Sequence, residues 1–239
     1  MKCIILAAGY ATRLYPLTEN FPKPLLKVGG KPILDWLIDD LAEEIESFTV
    51  VTNHKFAAVF EDWAAGKEKV RILDDGTETN EGRLGAVRDI QIAATGEDTL
   101  VMAGDNVLDF SLVPFLRFAE KKGTSCVMCH RETRLEALRR TAVITVDGDG
   151  RITGYEEKPR EPKGQLAVPP FYFYRGADLG RIQEALDAGC GADAPGSFAA
   201  WLSRQTAMHA WMMPGARHDI GDLASYEAVR DSYGGQRIR

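Results

Sequence analysis

The sequence predicts an α/β chain: a three-layer α/β/α sandwich with a Rossmann-like first half, a mixed central sheet and a β-hairpin insertion. Three observations carry that expectation. Short apolar runs alternate with amphipathic stretches from residue 3 to residue 103, the rhythm that builds a parallel sheet through right-handed crossovers. The turn Asp147-Gly148-Asp149-Gly150 sits between two β-rich runs, which signals a hairpin. The 239 residues, 45% of them hydrophobic, suffice for one sizeable core, and no linker, repeat or low-complexity tract divides them. The expected organisation is a single domain over 1–239, in two halves at 1–110 and 111–239.

Each element has its own warrant. Residues 3–7 form an unbroken apolar run, as in a strand buried on both faces of a parallel sheet. Residues 32–44 place Ile33, Leu34, Leu37, Ile38 and Leu41 on one face and Asp35, Asp39, Glu43 and Glu44 mostly on another, which predicts an amphipathic helix with Pro32 in its first turn. Strands at 48–52 and 70–73, helices at 56–65 and 84–94, and a strand at 99–103 complete a doubly wound half. Beyond it come a hairpin at 142–146 and 151–156 and an aromatic strand at 171–174. Helices follow near 177–188 and 197–205, and a last one at about 223–233.

Chemistry concentrates after the first strand. Ala7, Ala8 and Gly9 have almost no side chain, so a triphosphate could approach the backbone and accept hydrogen bonds from its N–H groups. Arg13 adds a planar fork of donors matched to phosphate oxygens, and Lys23 a compact ammonium held by Pro22 and Pro24 on a stiff segment. By themselves these residues fit an ordinary strand-to-helix turn with solvated cations equally well. The GxGxxG fingerprint is absent, which disfavours a nicotinamide dehydrogenase.

Four other places invite a functional reading. Asp105 follows the strand predicted at 99–103, at the carboxyl edge where open α/β sheets bind ligands, and a carboxylate there suits Mg2+. A helix cap is the alternative, both for Asp105 and for Asp219 in the short run before the last helix. Glu157 and Lys158 lie in YEEKPREPK, which by composition is a solvated charge run. Asn80 offers an amide to a base edge and Gly85 lets a base lie flat on the backbone, although a capped helix entry explains both.

Charge narrows the partners. The net charge is −6, which argues against a nucleic-acid surface. Residues 1–31 hold five basic groups (Lys2, Arg13, Lys23, Lys27, Lys31) against Glu19, so that segment carries +4 and the remainder −10. A cationic mouth on an acidic body suits a small anionic ligand. No run approaches the roughly 20 apolar residues of a membrane span and the start lacks a signal-peptide pattern, so the expectation is a cytoplasmic protein that engages no membrane. Cys126-Val127-Met128-Cys129-His130 matches a haem-attachment pattern, but its setting reads as a buried strand in which Cys acts as a small hydrophobe. The four histidines have no nucleophile and acid partner in sequence and read as bystanders, and no zinc spacing is present.

The opening run as a whole resembles the signature of the sugar-1-phosphate nucleotidyltransferases. The residues that carry the resemblance are LAAG, Arg13-Leu14, Pro16-Leu17-Thr18, Pro22-Lys23-Pro24-Leu25-Leu26 and Gly30-Lys31-Pro32-Ile33. It implies an NTP and a sugar-1-phosphate as substrates and Mg2+ as cofactor. Arg13 would then neutralise the β,γ-phosphates and Lys23 the α-phosphate, with Asp105 and Asp219 as the metal pair. Glu157 would hold sugar hydroxyls and Lys158 the acceptor phosphate. Ala7, Ala8, Gly9, Asn80, Gly85 and Asp105 would line the nucleotide site. The family usually reads G-x-G-T-R, and here Ala11 stands at the second Gly, where a methyl is expected to crowd the nucleotide. Pro169-Pro170 likewise departs from the family's sugar-pocket strand, so the acceptor stays open. The alternatives are a CTP-dependent enzyme for phosphocholine, with Phe171, Tyr172, Phe173, Tyr174 and Trp211 as a cation–π box, or a nucleotide-sensing homologue without catalysis. A homo-oligomer is compatible with the sequence.

Overall fold

The structure, a computed structural model, describes residues 1–235 and shows a mixed α/β fold. Its contacts gather into two compact units, one of Met1–Leu84, Ala103–Pro114 and Pro214–Arg239, the other of Gly85–Met102 and Phe115–Met213. The C-terminal segment therefore returns to the unit that the opening residues begin.

In the first unit the strands Lys2–Leu6, Ser47–Thr52 and Val70–Asp74 are parallel, with Ser47–Thr52 in the middle. Cys3, Ile4, Ile5, Phe48, Val50 and Val51 are buried, as an apolar run between helix-bearing faces requires. The helix expected at 32–44 runs over Ile33–Leu41 and buries Ile33, Leu34, Leu37 and Leu41. It stops short because Glu43 and Glu44 would place negative charge at the negative end of the helix dipole. The helix expected at 56–65 is preceded by a 3-10 turn, His54–Phe56, and the Asn53 side chain caps that turn by accepting from Phe56 N at 3.2 Å.

Two short strands absent from the sequence reading prove decisive for this unit. Asn106–Leu108 and Arg217–Asp219 form an antiparallel ribbon in which Asp219 faces Asn106, His218 faces Val107 and Arg217 faces Leu108. Val107 and Ile220 belong to an apolar cluster with Leu14, Leu26, Val28, Ile33, Tyr226 and Val229. That cluster fastens the ribbon to the opening loop and to the last helix, Leu223–Arg230.

The second unit is dominated by antiparallel pairing. Its strands lie in the order Ile152–Glu157, Ala142–Val146, Leu166–Val168, Ser125–Arg131, Phe171–Tyr174 and Thr99–Ala103. Met208–Met212 runs parallel to Ser125–Arg131. The hairpin stands where the turn sequence placed it, and Asp147 Oδ1 closes it by accepting from Asp149 N at 2.9 Å and Arg151 N at 3.0 Å. Cys126 and Cys129 are buried on their strand, and withdrawal from water raises both thiols to about 11. The helical stretch expected at 177–188 is two pieces, Gly176–Leu179 and Ile182–Asp187, broken near Gly180, where glycine weakens a helix.

Candidate active site

Three distant stretches of the first unit converge on one cluster of charge. Lys23 begins the 3-10 turn Lys23–Leu25, whose Pro24 and Leu25 are buried and anchor the backbone. Its side chain is only 13% exposed, and Nζ donates to Asp105 Oδ2 at 2.5 Å and to the Ile220 carbonyl at 2.8 Å. Asp105 lies between the strands Thr99–Ala103 and Asn106–Leu108, so it caps no helix. Nor does Asp219. The last helix is capped by Asp222, whose carboxylate accepts from Ser225 N at 2.9 Å while Ser225 Oγ accepts from Asp222 N at 3.0 Å.

Asp219 is drawn toward the same point by the ribbon register. Partial withdrawal from water raises its pKa first, the negative charge of Asp105 raises it further, and Arg217, Lys23 and Arg13 oppose the shift. The side chain nevertheless stays 55% exposed, open to a ligand. Two carboxylates that repel one another this way fit a hard divalent cation. Mg2+ commonly takes one or two carboxylates and completes its shell with phosphate oxygens and water. Among the described residues no group of three or more His, Cys, Asp or Glu is placed to hold a metal ion.

The opening loop divides its labour. Ala7 continues the sheet, its N–H donating to Val51 O at 2.8 Å, and the Ala8 carbonyl accepts from Asn53 Nδ2 at 2.9 Å. A Cβ at Gly9 would meet no protein atom within 4 Å, so packing does not demand glycine there and space in front of the backbone stays open. Arg13 is exposed within the 3-10 turn Thr12–Leu14. Ala11 has φ 48 and ψ 40, the left-handed conformation that glycine adopts freely and that costs other residues roughly 1–2 kcal/mol. Its side chain packs against the apolar cluster, and its carbonyl accepts from Thr18 Oγ1 at 2.8 Å and from Leu14 N at 3.0 Å. The methyl that was expected to crowd the nucleotide thus has protein contacts of its own. Asn80 is half-buried, and its Oδ1 accepts from Arg83 Nη1 at 3.0 Å.

The remaining expected residues belong to the second unit. Gly85 has φ 91, and a Cβ there would strike Ala192 O at 2.6 Å, so its backbone alone requires glycine. Glu157 ends the hairpin's second strand, and burial raises its pKa while Lys158 lowers it. Its Oε2 is buried without a hydrogen-bond partner among the described residues, as is the Tyr174 hydroxyl. A side chain at Gly196, in the first turn of the helix Pro195–Leu202, would fall on that oxygen. Lys158 has φ 46; with Ala11 it makes the two non-glycine residues of positive φ among the described residues. Lys158 stands at a position expected to bind ligand and Ala11 in the loop expected to carry phosphate, and functional sites are where such strain collects.

Two side chains to which the sequence reading gave no role belong to the charge cluster. Asn106 Nδ2 donates to Asp105 Oδ1 at 2.7 Å, and Arg217 Nη1 donates to Asn106 Oδ1 at 2.5 Å. In the strand Arg217–Asp219 alternation puts residues 217 and 219 on one face and His218 on the other, but three residues are too few to reveal that from the sequence.

The model of the nucleotidyl transferase family matches residues 2–234. The chain belongs to that family. Among its curated relatives, this nucleotidyl transferase family member is 29% identical over 175 residues to the UTP–glucose-1-phosphate uridylyltransferase AglF of Haloferax volcanii, covering 73% of this chain and 72% of that protein. It is 32% identical over 188 residues to the glucose-1-phosphate thymidylyltransferase of Mycolicibacterium smegmatis, covering 73% and 61%. The match to the bifunctional protein GlmU of Methanococcus vannielii is 29% over 163 residues, and there the chain spans only 36% of its relative. A solved UDP-glucose pyrophosphorylase in complex with UDP-glucose superposes with a TM-score of 0.80 at 21% identity over 97% of each chain, which establishes the common fold. No helix among the described residues is long and apolar enough to cross a membrane.

Proposed function

We propose that this chain is a sugar-1-phosphate nucleotidyltransferase that makes a nucleoside-diphosphate sugar and pyrophosphate from an NTP and a sugar-1-phosphate. The observation that carries the reading is the convergence of Lys23, Asp105 and Asp219, which are far apart in sequence, into one cationic and anionic cluster within electrostatic reach of Arg13. A phosphate oxygen of the sugar-1-phosphate attacks the α-phosphorus in line. The new P–O bond forms as the bond to the β-phosphate oxygen breaks, and the electron pair leaves with pyrophosphate. The nucleophile is already anionic at neutral pH, so no general base is needed and catalysis reduces to positioning and charge neutralisation.

Arg13 neutralises the β,γ-phosphates, Lys23 the α-phosphate, and Ala8 and Gly9 supply backbone N–H donors beyond the last sheet bond at Ala7. Asp105 and Asp219 hold Mg2+, which supplies charge neutralisation on the phosphates when bound. Glu157 takes sugar hydroxyls and Lys158 the acceptor phosphate; this assignment rests on the sequence resemblance and on the unpaired Oε2 of Glu157. Asn80 and Gly85 are assigned to the base on the resemblance alone. A sugar is preferred to phosphocholine because Phe171, Tyr172, Phe173 and Tyr174 are buried in their strand, with Tyr172 stacked on Tyr174 at 5.8 Å, rather than arranged as an open cation–π box.

The test is a pyrophosphate-release screen of ATP, GTP, CTP, UTP and dTTP against a panel of sugar-1-phosphates and phosphocholine, with and without Mg2+. Release that requires both a sugar-1-phosphate and Mg2+ supports the reading. Tight NTP binding with no release for any acceptor would point to the sensing homologue instead.

A further inference from the structure

One guanidinium reaches both members of the carboxylate pair, Asp219 directly and Asp105 through Asn106, and the proposed function gives it nothing to do. Arg217 Nη1 lies 2.5 Å from Asn106 Oδ1 and 3.7 Å from Asp219 Oδ2, and Asn106, only 1% exposed, passes the contact on to Asp105 Oδ1 at 2.7 Å. We infer that Arg217, acting through the amide of Asn106, is the positioning residue of the metal-binding carboxylates. The inference rests on the reading of Asp105 and Asp219 as that pair.

Hydrogen-bond sense decides the orientation. A primary amide has an accepting end and a donating end, whereas a guanidinium only donates. With Arg217 on one side, the Asn106 oxygen must face the guanidinium and its NH2 must face Asp105; the same NH2 lies 3.4 Å from the Ala103 carbonyl. Turned over, the amide would set its oxygen against a carboxylate oxygen and its NH2 against a cation, two contacts of like sign in a buried place. Arg217 therefore fixes which way Asn106 points, and Asn106 fixes one oxygen of Asp105.

The second oxygen of Asp105 is held by Lys23. The proposed reaction calls Lys23 to the α-phosphate, and Asn106 then remains as the hold on Asp105. Arg217 and Asp219 sit on one face of a single short strand, so the same backbone sets the positions of both. The arrangement also yields two opposite expectations. A cation this close to Asp219 repels a metal ion, so a guanidinium acting only as a charge would loosen metal binding and its removal would tighten it. A guanidinium acting as a positioner would, on removal, weaken it.

The probe is Mn2+ alone, its binding to the purified full chain read by electron paramagnetic resonance of the free ion. Arg217→Ala and Asn106→Ala are each expected to weaken Mn2+ binding about tenfold, the usual scale for groups that orient metal ligands. The double variant should lose no more than either single one, because both act in one chain of contacts, and Arg217→Lys should stay within about threefold of wild type. Unchanged or tighter binding in Arg217→Ala, or multiplying losses in the double variant, overturns the inference. Should Arg217→Ala fail to fold, Arg217→Lys and Asn106→Ala decide, and unchanged binding in Asn106→Ala is then the overturning result. Undiminished Mn2+ binding in Asp219→Asn would overturn the metal pair itself, a different failure, seen in a variant that leaves Arg217 and Asn106 in place.

Discussion

The two polar clusters that matter most in this molecule are built on opposite terms. In the first unit Asp105 is satisfied on both oxygens, by Asn106 and by Lys23, and Lys23 has a second acceptor in the Ile220 carbonyl. In the second unit Glu157 keeps an oxygen buried and unpaired, with the equally unpaired hydroxyl of Tyr174 within its electrostatic reach. A buried polar atom left without a partner costs roughly 1–3 kcal/mol, so a fold retains one where something else completes it. Under the proposed function, the contrast would separate a cluster organised in advance to manage phosphate charge from one that hydroxyl groups complete.

The strongest way to break that comparison is to remove the organised cluster. Lys23→Ala and Asp219→Asn should each lose at least about a hundredfold in pyrophosphate release, the scale of one preorganised electrostatic contact to a transition state. Near-normal turnover in either would dissolve the distinction.

A second test bears on stability rather than rate. Burial raises the pKa of Glu157 in the folded chain, so folding favours the protonated form. Its contribution is fully present below the unfolded value of about 4.3 and is lost as pH rises through the folded value. Glu157→Gln should therefore melt at about 2 °C or more above wild type at pH 7.5, and the advantage should vanish below about pH 4. An equal or lower melting temperature at pH 7.5 would mean that the carboxylate is satisfied after all.

The smallest effect concerns Ala11. Glycine in its place would relieve the left-handed strain but give up a methyl contact with the apolar cluster, so stability should move by about 1 kcal/mol or less in either direction. Since the methyl has protein partners, KM for the NTP should change less than twofold, whereas a larger gain in NTP affinity would show that it does crowd the ligand.

Sequence reading reached the elements that local pattern specifies. The opening strand, the Ile33–Leu41 face and the hairpin all follow from periodicity and turn chemistry, and the opening loop carried enough restrictive positions to suggest the family that the residue 2–234 match then established. What it missed depends on long-range pairing. Three residues, Arg217–Asp219, are too few to display alternation, and their partners at Asn106–Leu108 lie more than a hundred positions away. The Asn106 amide meets Arg217, and the Glu157 oxygen lies where a side chain at Gly196 would fall; neither pairing leaves a mark in local composition. The backbone of Ala11 hid for a different reason. The sequence marks the residue as standing where the family has Gly, but positive φ is inferred from a glycine that is present, so its left-handed backbone was not legible.

The division between an organised donor cluster and a waiting acceptor cluster is tested most directly by two-substrate initial rates of pyrophosphate release for Glu157→Gln beside wild type. KM for the sugar-1-phosphate is expected to rise about tenfold or more, the scale of a lost hydrogen bond to a charged group, while KM for the NTP stays within about twofold. A rise in KM for the NTP of the same size, or no change in either constant, would contradict that division.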